Sequence, residues 1–97
     1  MSLATDYLDR VERRLDRPVN AQKRKQVYDR LAAARKTALE QGYLPVAESQ
    51  RAAAYARGLD NVTWQGDLVV FLITLYQRWP IYRSVCDGFI NEINSQG

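Results

Sequence analysis

The sequence predicts an all-α protein, a small bundle of four to five helices that are mostly antiparallel. Apolar side chains recur at helical spacing in almost every segment. Proline and glycine separate these segments, and short connections favour antiparallel neighbours. At 97 residues the chain has the length of one domain. Residues 1–97 are therefore expected to form a single helical domain.

The first predicted helix lies before Pro18. One of its faces carries an apolar stripe, formed by Leu3, Tyr7, Leu8, Val11 and Leu15. Acidic and basic side chains fill the other face, where opposite charges four residues apart attract each other. Because Pro18 disfavours helical geometry in the residue before it, this helix is expected to end near Leu15.

The next two helices are predicted from their ends. The second begins after Asn20, a residue type that caps helix N-termini well, and stops at Gly42, since glycine commonly follows the last turn. The third begins at Pro45, which fits a first helical turn, and is expected to close at Gly58. Its many alanines indicate either close approach to a neighbouring helix or a packing surface for a partner.

Residues 68–76, LVVFLITLY, are the most apolar stretch of the chain. They are too few for a membrane span, which needs about 20 residues. Their side chains would also suit a buried strand, but no second segment is a candidate to pair with it. We therefore predict a helix that is apolar around most of its circumference and buried on several sides, at a bundle centre or inside a dimer. The chain should break at Trp79–Pro80 and continue as a last helix.

The composition argues against several chemistries. The chain has no histidine and one cysteine, Cys86, so zinc, haem and iron–sulfur sites have no ligand set and no cofactor is expected. Nucleophiles activated by histidine are excluded as well. The glycines form no phosphate-binding loop. Asp6 and Asp9 lie among arginines, which favour ionised carboxylates in surface salt bridges. We therefore expect no enzyme.

The N-terminus gives an expectation about location. Its charged residues interrupt any apolar core of the kind that a secretory signal requires. A single cysteine also fits a reducing compartment. A cytoplasmic protein without a membrane partner is the resulting expectation.

Positive charge is concentrated in the second predicted helix. Residues 21–41 contain two acidic residues and six basic ones, namely Lys23, Arg24, Lys25, Arg30, Arg35 and Lys36. A basic helix face is often only a solvated surface, but it can also contact successive phosphates of a nucleic acid. A helix-turn-helix alignment over residues 34–56 fits poorly, because the alanine-rich helix offers few base-reading side chains. Nucleic-acid binding is the alternative hypothesis.

Aromatic side chains in the last third of the chain support the leading hypothesis. We expect a non-enzymatic helical protein of regulatory or adaptor type that binds another protein and forms a homodimer. The expected contact residues are Phe71, Tyr76, Trp79, Tyr82 and Phe89. The basic helix would orient an acidic partner. The simpler interpretation is that these aromatics close the ends of the core.

Overall fold

The computed structural model describes residues 15–95, and α-helices make up most of this part. There are four: α1 is Ala21–Glu40, α2 is Val46–Ala56, α3 is Gln65–Arg78 and α4 is Arg83–Asn94. Short 3₁₀ helices, Arg57–Asn61 and Pro80–Tyr82, follow α2 and α3. No β-strand occurs in residues 15–95, so the all-α prediction is confirmed. The first predicted helix lies outside the described residues, apart from Leu15 at its end.

Both ends of α1 are set by the residues that the sequence singled out. Asn20 Oδ1 accepts a hydrogen bond from the Lys23 amide at 2.7 Å, which satisfies one of the free N–H groups of the first turn. Gly42 adopts a φ of 76°, and the Tyr43 amide then donates to the Ala38 carbonyl at 2.9 Å. This is the Schellman arrangement, in which glycine takes the left-handed conformation at no steric cost.

The end of α2 differs from the prediction. The helix stops at Ala56 and tightens into the 3₁₀ helix Arg57–Asn61, so Gly58 does not cap it. This tighter turn places Leu59 in the core. A Cβ at Gly58 would lie 3.5 Å from Phe71 Cε2. This is an ordinary van der Waals distance, so Gly58 faces α3 with room for a small side chain.

Residues 68–76 are helical, as predicted, and α3 ends just before the expected break at Trp79–Pro80. The leucines Leu68, Leu72 and Leu75 are buried, at the spacing of one helix face. On the opposite side, Val70 is 64% and Ile73 is 42% exposed. Within the described part of the chain, α3 is thus buried on one side, not on several.

The core forms where α1 packs on α2 and α4, and where α3 packs on α4. The 3₁₀ helix Pro80–Tyr82 lies between α1 and α3 and contacts both. Its Tyr82 is the largest of the fully buried side chains among the described residues. Among the helices of residues 15–95, none has the length and hydrophobicity needed to cross a membrane.

A short backbone bridge joins the segment before α1 to the start of α3. The Val19 amide donates to the Thr63 carbonyl at 2.7 Å, and the Gln65 amide donates to the Arg17 carbonyl at 2.8 Å. The two segments run antiparallel at this point. The bridge is too short to count as a strand pair, but it fixes the position of the first described residues against α3.

Candidate protein-binding surface

Three of the five aromatics expected to contact a partner belong to the core. Trp79 is 3%, Tyr82 is 0% and Phe89 is 4% exposed, whereas Phe71 and Tyr76 are half-buried. The buried ones continue the apolar stripes of their own elements, three or four residues apart, and therefore point inward. This placement matches the simpler interpretation, in which the aromatics close the core.

Phe71 and Trp79 contact Tyr55, the one aromatic residue of α2, and Tyr82 joins this cluster through Trp79. The Tyr55 ring stacks on Phe71 with centroids 5.2 Å apart, and it meets Trp79 at 5.6 Å. Trp79 in turn contacts Tyr82 edge-on at 6.2 Å. Such pairs stabilise a fold beyond the area they bury. The periodicity of the sequence did not single out Tyr55, although it is the only large ring in an alanine-rich helix.

Glu48 holds the outer edge of this cluster in place. Trp79 Nε1 donates to Glu48 Oε1 at 2.8 Å, and Arg51 Nη1 donates to Glu48 Oε2 at 2.6 Å. The hydrogen bond from Trp79 and then the one from Arg51 lower the pKa of Glu48 below its ordinary value. The Arg78 guanidinium covers the Trp79 ring at 4.8 Å from its centroid. Glu48 is thus an ionised acceptor that orients the indole and is poorly suited to act as a general acid.

Two nucleophile candidates are buried in the core and held in their neutral forms. Burial raises the pKa of the Cys86 thiol to about 11, so it carries little thiolate at neutral pH. Burial also raises the pKa of Tyr82, an effect that the charge of Arg35 partly offsets. The Arg35 guanidinium lies near the Tyr82 hydroxyl, but no hydrogen bond of ordinary geometry forms there within residues 15–95.

Four of the six basic residues named from the sequence form contacts with other residues of the fold. Lys23 forms an ion pair with Glu92 of α4, and both Lys23 and Arg30 lie over the Phe89 ring, at 5.6 and 5.7 Å from its centroid. Arg24 donates to two backbone carbonyls at 2.9 and 3.3 Å. Arg35 is half-buried and acts on the Tyr82 hydroxyl. These side chains brace α1 against its neighbours, so they do not form one free stripe.

The more exposed cations of α1 lie apart from each other. Lys25 pairs loosely with Asp29 at 3.7 Å, and Lys36 lies exposed about three turns further along the helix. Lys25 and Arg24 line an open depression together with Arg57, a residue that the sequence did not single out. Asp60 lines the same depression and partly offsets its positive charge.

The outer face of α3 exposes two large aliphatic side chains, Val70 and Ile73. We define it as Gly66, Val70, Ile73 and Gln77, which follow one another at helical spacing. Trp64, directly before the helix, is 48% exposed beside it. The surface side of a helix is ordinarily polar. Two exposed β-branched residues and a tryptophan therefore make this face a candidate docking surface.

Two further concave sites lie among residues 15–95. An open groove between α1 and α4 is lined mainly by small and aliphatic side chains, including Ala33, Ala38, Ile81 and Val85. A small cavity of about 100 Å³ lies beside Phe89 and Gln65. The Oε1 atom of Gln65 is buried without a hydrogen-bond partner within residues 15–95, so a few water molecules would suit this cavity.

Comparison with known proteins gives no match: no family model fits the chain, and neither a curated protein nor a solved structure is significantly similar to it. In the part of the chain that the structure describes, no group of three or more acidic, histidine or cysteine side chains is arranged to hold a metal ion. The function is therefore argued from the surfaces themselves, foremost from the outer face of α3.

Proposed function

We propose that this chain is a small helical protein, regulatory or adaptor in type and without catalytic activity, which works by protein–protein interaction. Its docking surface is the outer face of α3, and its partner there is a second copy of the chain. One observation carries the proposal: Val70 and Ile73 are exposed on a helix whose opposite side already supplies the core. Full burial of such a side chain contributes about 1.5–3 kcal/mol.

A second copy suits this face because an apolar surface without charges is complementary to itself. Leu15 already lies against Gly66 at the start of the face, so a second copy would meet mainly Val70 and Ile73. A face of one 14-residue helix is small compared with ordinary stable interfaces. We therefore expect weak, concentration-dependent dimers, with a dissociation constant of about 1 μM or higher. Exposed cations such as Lys25 and Lys36 would add attraction to an acidic partner protein.

We also expect mostly antiparallel neighbouring helices, because their connections are short.

Sedimentation equilibrium from micromolar to millimolar concentration tests the proposal. The average mass of the wild-type chain should rise toward twice the chain mass, while Val70→Asp stays monomeric because it places a charge in the interface. The matched control is Val46→Asp, since Val46 is 67% exposed but lies at the start of α2, away from the face. The proposal is refuted by a wild-type chain that remains a single monomeric species up to millimolar concentration.

The depression between α1 and the 3₁₀ helix Arg57–Asn61 supports a second candidate function, nucleic-acid binding. Arg57 adds a third cation to Arg24 and Lys25 there. Duplex binding through this depression should weaken steeply with salt, with a log–log slope of about −0.9 per phosphate contacted. The double variant Lys25→Ala and Arg57→Ala should flatten that slope, whereas Lys36→Ala should change it less. Absence of binding at low salt would end this second candidate.

A further inference from the structure

The basic depression between α1 and the 3₁₀ helix Arg57–Asn61 also contains an aromatic side chain, Tyr28. We call it the Tyr28 depression, and its lining residues are Ala21, Arg24, Lys25, Tyr28, Arg57 and Asp60. It measures about 660 Å³, and ligand pockets in proteins span about 300–1,000 Å³. The depression therefore has room for a group as large as a nucleotide.

The Tyr28 ring is not used by the fold in the way that the other aromatics are. It is 38% exposed, and it belongs neither to the core cluster nor to the apolar side chains packed against that cluster. Phe71 stacks on Tyr55 and Arg83 covers Tyr76, but within residues 15–95 no ring or cation lies over Tyr28. An accessible aromatic ring of this kind is a platform on which a nucleic-acid base can stack.

Cations stand beside this ring on two walls of the depression. Arg24 and Lys25 precede Tyr28 by four and three residues, so all three share one face of α1. Arg24 Nη1 donates to the Val62 carbonyl at 3.3 Å, which ties α1 to the residue that follows the 3₁₀ helix. Arg57 comes from that 3₁₀ helix and forms no ion pair within residues 15–95. Both walls can therefore offer a cation to the phosphates that flank a stacked base.

The net charge of the depression is positive but small. Its three cations face one carboxylate, Asp60, and Lys25 is loosely paired with Asp29 at 3.7 Å. The first turn of α1, which begins at Ala21, contains no acidic residue, so the partial positive charge of the helix end is not offset there. Lys36 lies about three turns away. The site thus suits one or two phosphates and not a long row of them.

An accessible ring with few cations favours a single strand over a duplex. In a duplex each base is stacked between its neighbours, whereas a single strand can offer the face of a base to an aromatic side chain. Non-specific duplex binding depends on the number of phosphates that the protein contacts, and this depression contacts few. Stacking on Tyr28 is therefore a gain that only the single strand obtains.

We propose that the Tyr28 depression binds single-stranded nucleic acid, with one base stacked on the Tyr28 ring and the neighbouring phosphates on Lys25 and Arg57. The inference rests on the second candidate function and adds to it the kind of nucleic acid that is bound. It does not depend on the homodimer.

Fluorescence anisotropy with the full-length chain at low salt tests the proposal. The probes are a labelled oligothymidylate of about 12 nucleotides and the same strand annealed to oligodeoxyadenylate. The single strand should bind at least about fivefold more tightly, because stacking of one base contributes that factor or more. Tyr28→Ala should abolish this difference, and Tyr28→Phe should keep it because the ring remains. The matched control is Tyr43→Ala, since Tyr43 is 73% exposed but lies after α1, outside the depression.

A salt titration separates stacking from charge. Arg57→Ala should reduce the log–log slope for the single strand by about 0.7, the value of one phosphate contact. Tyr28→Ala should weaken binding by the same factor at every salt concentration, because stacking releases no counterions. Asp60→Asn should strengthen binding, because it removes the carboxylate that repels phosphate.

The outcomes that overturn the inference differ from those that end the second candidate function. A duplex that binds as tightly as the single strand, or an unchanged affinity in Tyr28→Ala, refutes the stacked base and leaves duplex binding standing. Displacement of the strand by polyglutamate of equal charge, as effective as displacement by unlabelled strand, also refutes it, since any acidic chain would then suffice. If neither nucleic acid binds at low salt, the inference and the second candidate function fail together.

Discussion

Leu72 offers a direct measure of how much the inner side of α3 contributes to stability. The side chain is fully buried and belongs to the core cluster. Leu72→Ala removes apolar contacts and leaves a cavity, because the surrounding helices relax only partly. The expected loss in the free energy of unfolding is about 3–5 kcal/mol. A chain of this length has about 5–15 kcal/mol in total, so this one substitution should remove a large share.

The assay is urea unfolding followed by far-UV circular dichroism and by tryptophan fluorescence. Trp79 is buried within the aromatic cluster, so its emission should shift when the core opens. In thermal unfolding, each kcal/mol lost should lower the melting temperature by about 4–8 °C. Should Leu72→Ala fail to fold, Leu72→Val gives a smaller loss of about 1 kcal/mol that remains measurable.

Gln77→Ala is the control on the same helix, because Gln77 is exposed. Its free energy of unfolding should stay within about 0.5 kcal/mol of the wild type. A loss below about 1 kcal/mol for Leu72→Ala would refute the burial of this side of α3, since deletion of a fully buried leucine side chain costs more than that.

Two further predictions concern the buried titratable groups. Cys86 should react with a thiol reagent at pH 8 only as fast as the chain unfolds. Because burial raises its pKa in the folded chain to about 11, above the unfolded value, its contribution to stability should be complete below about pH 8.5 and lost as the pH rises toward 11. Cys86→Ala should remove this pH dependence. Tyr82→Phe should raise the free energy of unfolding by up to about 1 kcal/mol, because it deletes a buried hydroxyl that lies near Arg35 but makes no hydrogen bond of ordinary geometry. A loss of about 1 kcal/mol in urea unfolding would instead indicate that the hydroxyl is bonded.

The ends of the helices were predictable because they depend on local chemistry. Asn20 caps α1 through its own side chain, and Gly42 ends α1 through a backbone conformation that other residues rarely adopt. Pro80 stops α3 because it lacks an N–H group and disfavours helical geometry in Trp79 before it. Gly58 was the one predicted helix end that was wrong: the chain continues there as a 3₁₀ helix, and Gly58 faces Phe71 of another helix.

The sequence predicted which helix carries the candidate docking surface, but not which side of that helix is exposed. The sequence selected residues 68–76 as the apolar helix, but it favoured the aromatics as contact residues, and three of these are buried in the core. Leucine on the inner side and valine or isoleucine on the outer side are alike in hydrophobicity. Their positions in the sequence therefore do not tell which side meets the rest of the protein.

The sequence by itself determined that the chain is helical, where α1 begins and ends, where α3 stops, and which chemistries lack their residues. Those properties depend on side chains within a few positions of each other, on the backbone preferences of proline and glycine, or on composition. The tertiary structure alone decided which side of α3 is exposed, which cations of α1 pair with other residues, and that Tyr55 joins the aromatic cluster. These depend on contacts between residues far apart in the chain, which form only once the helices have packed.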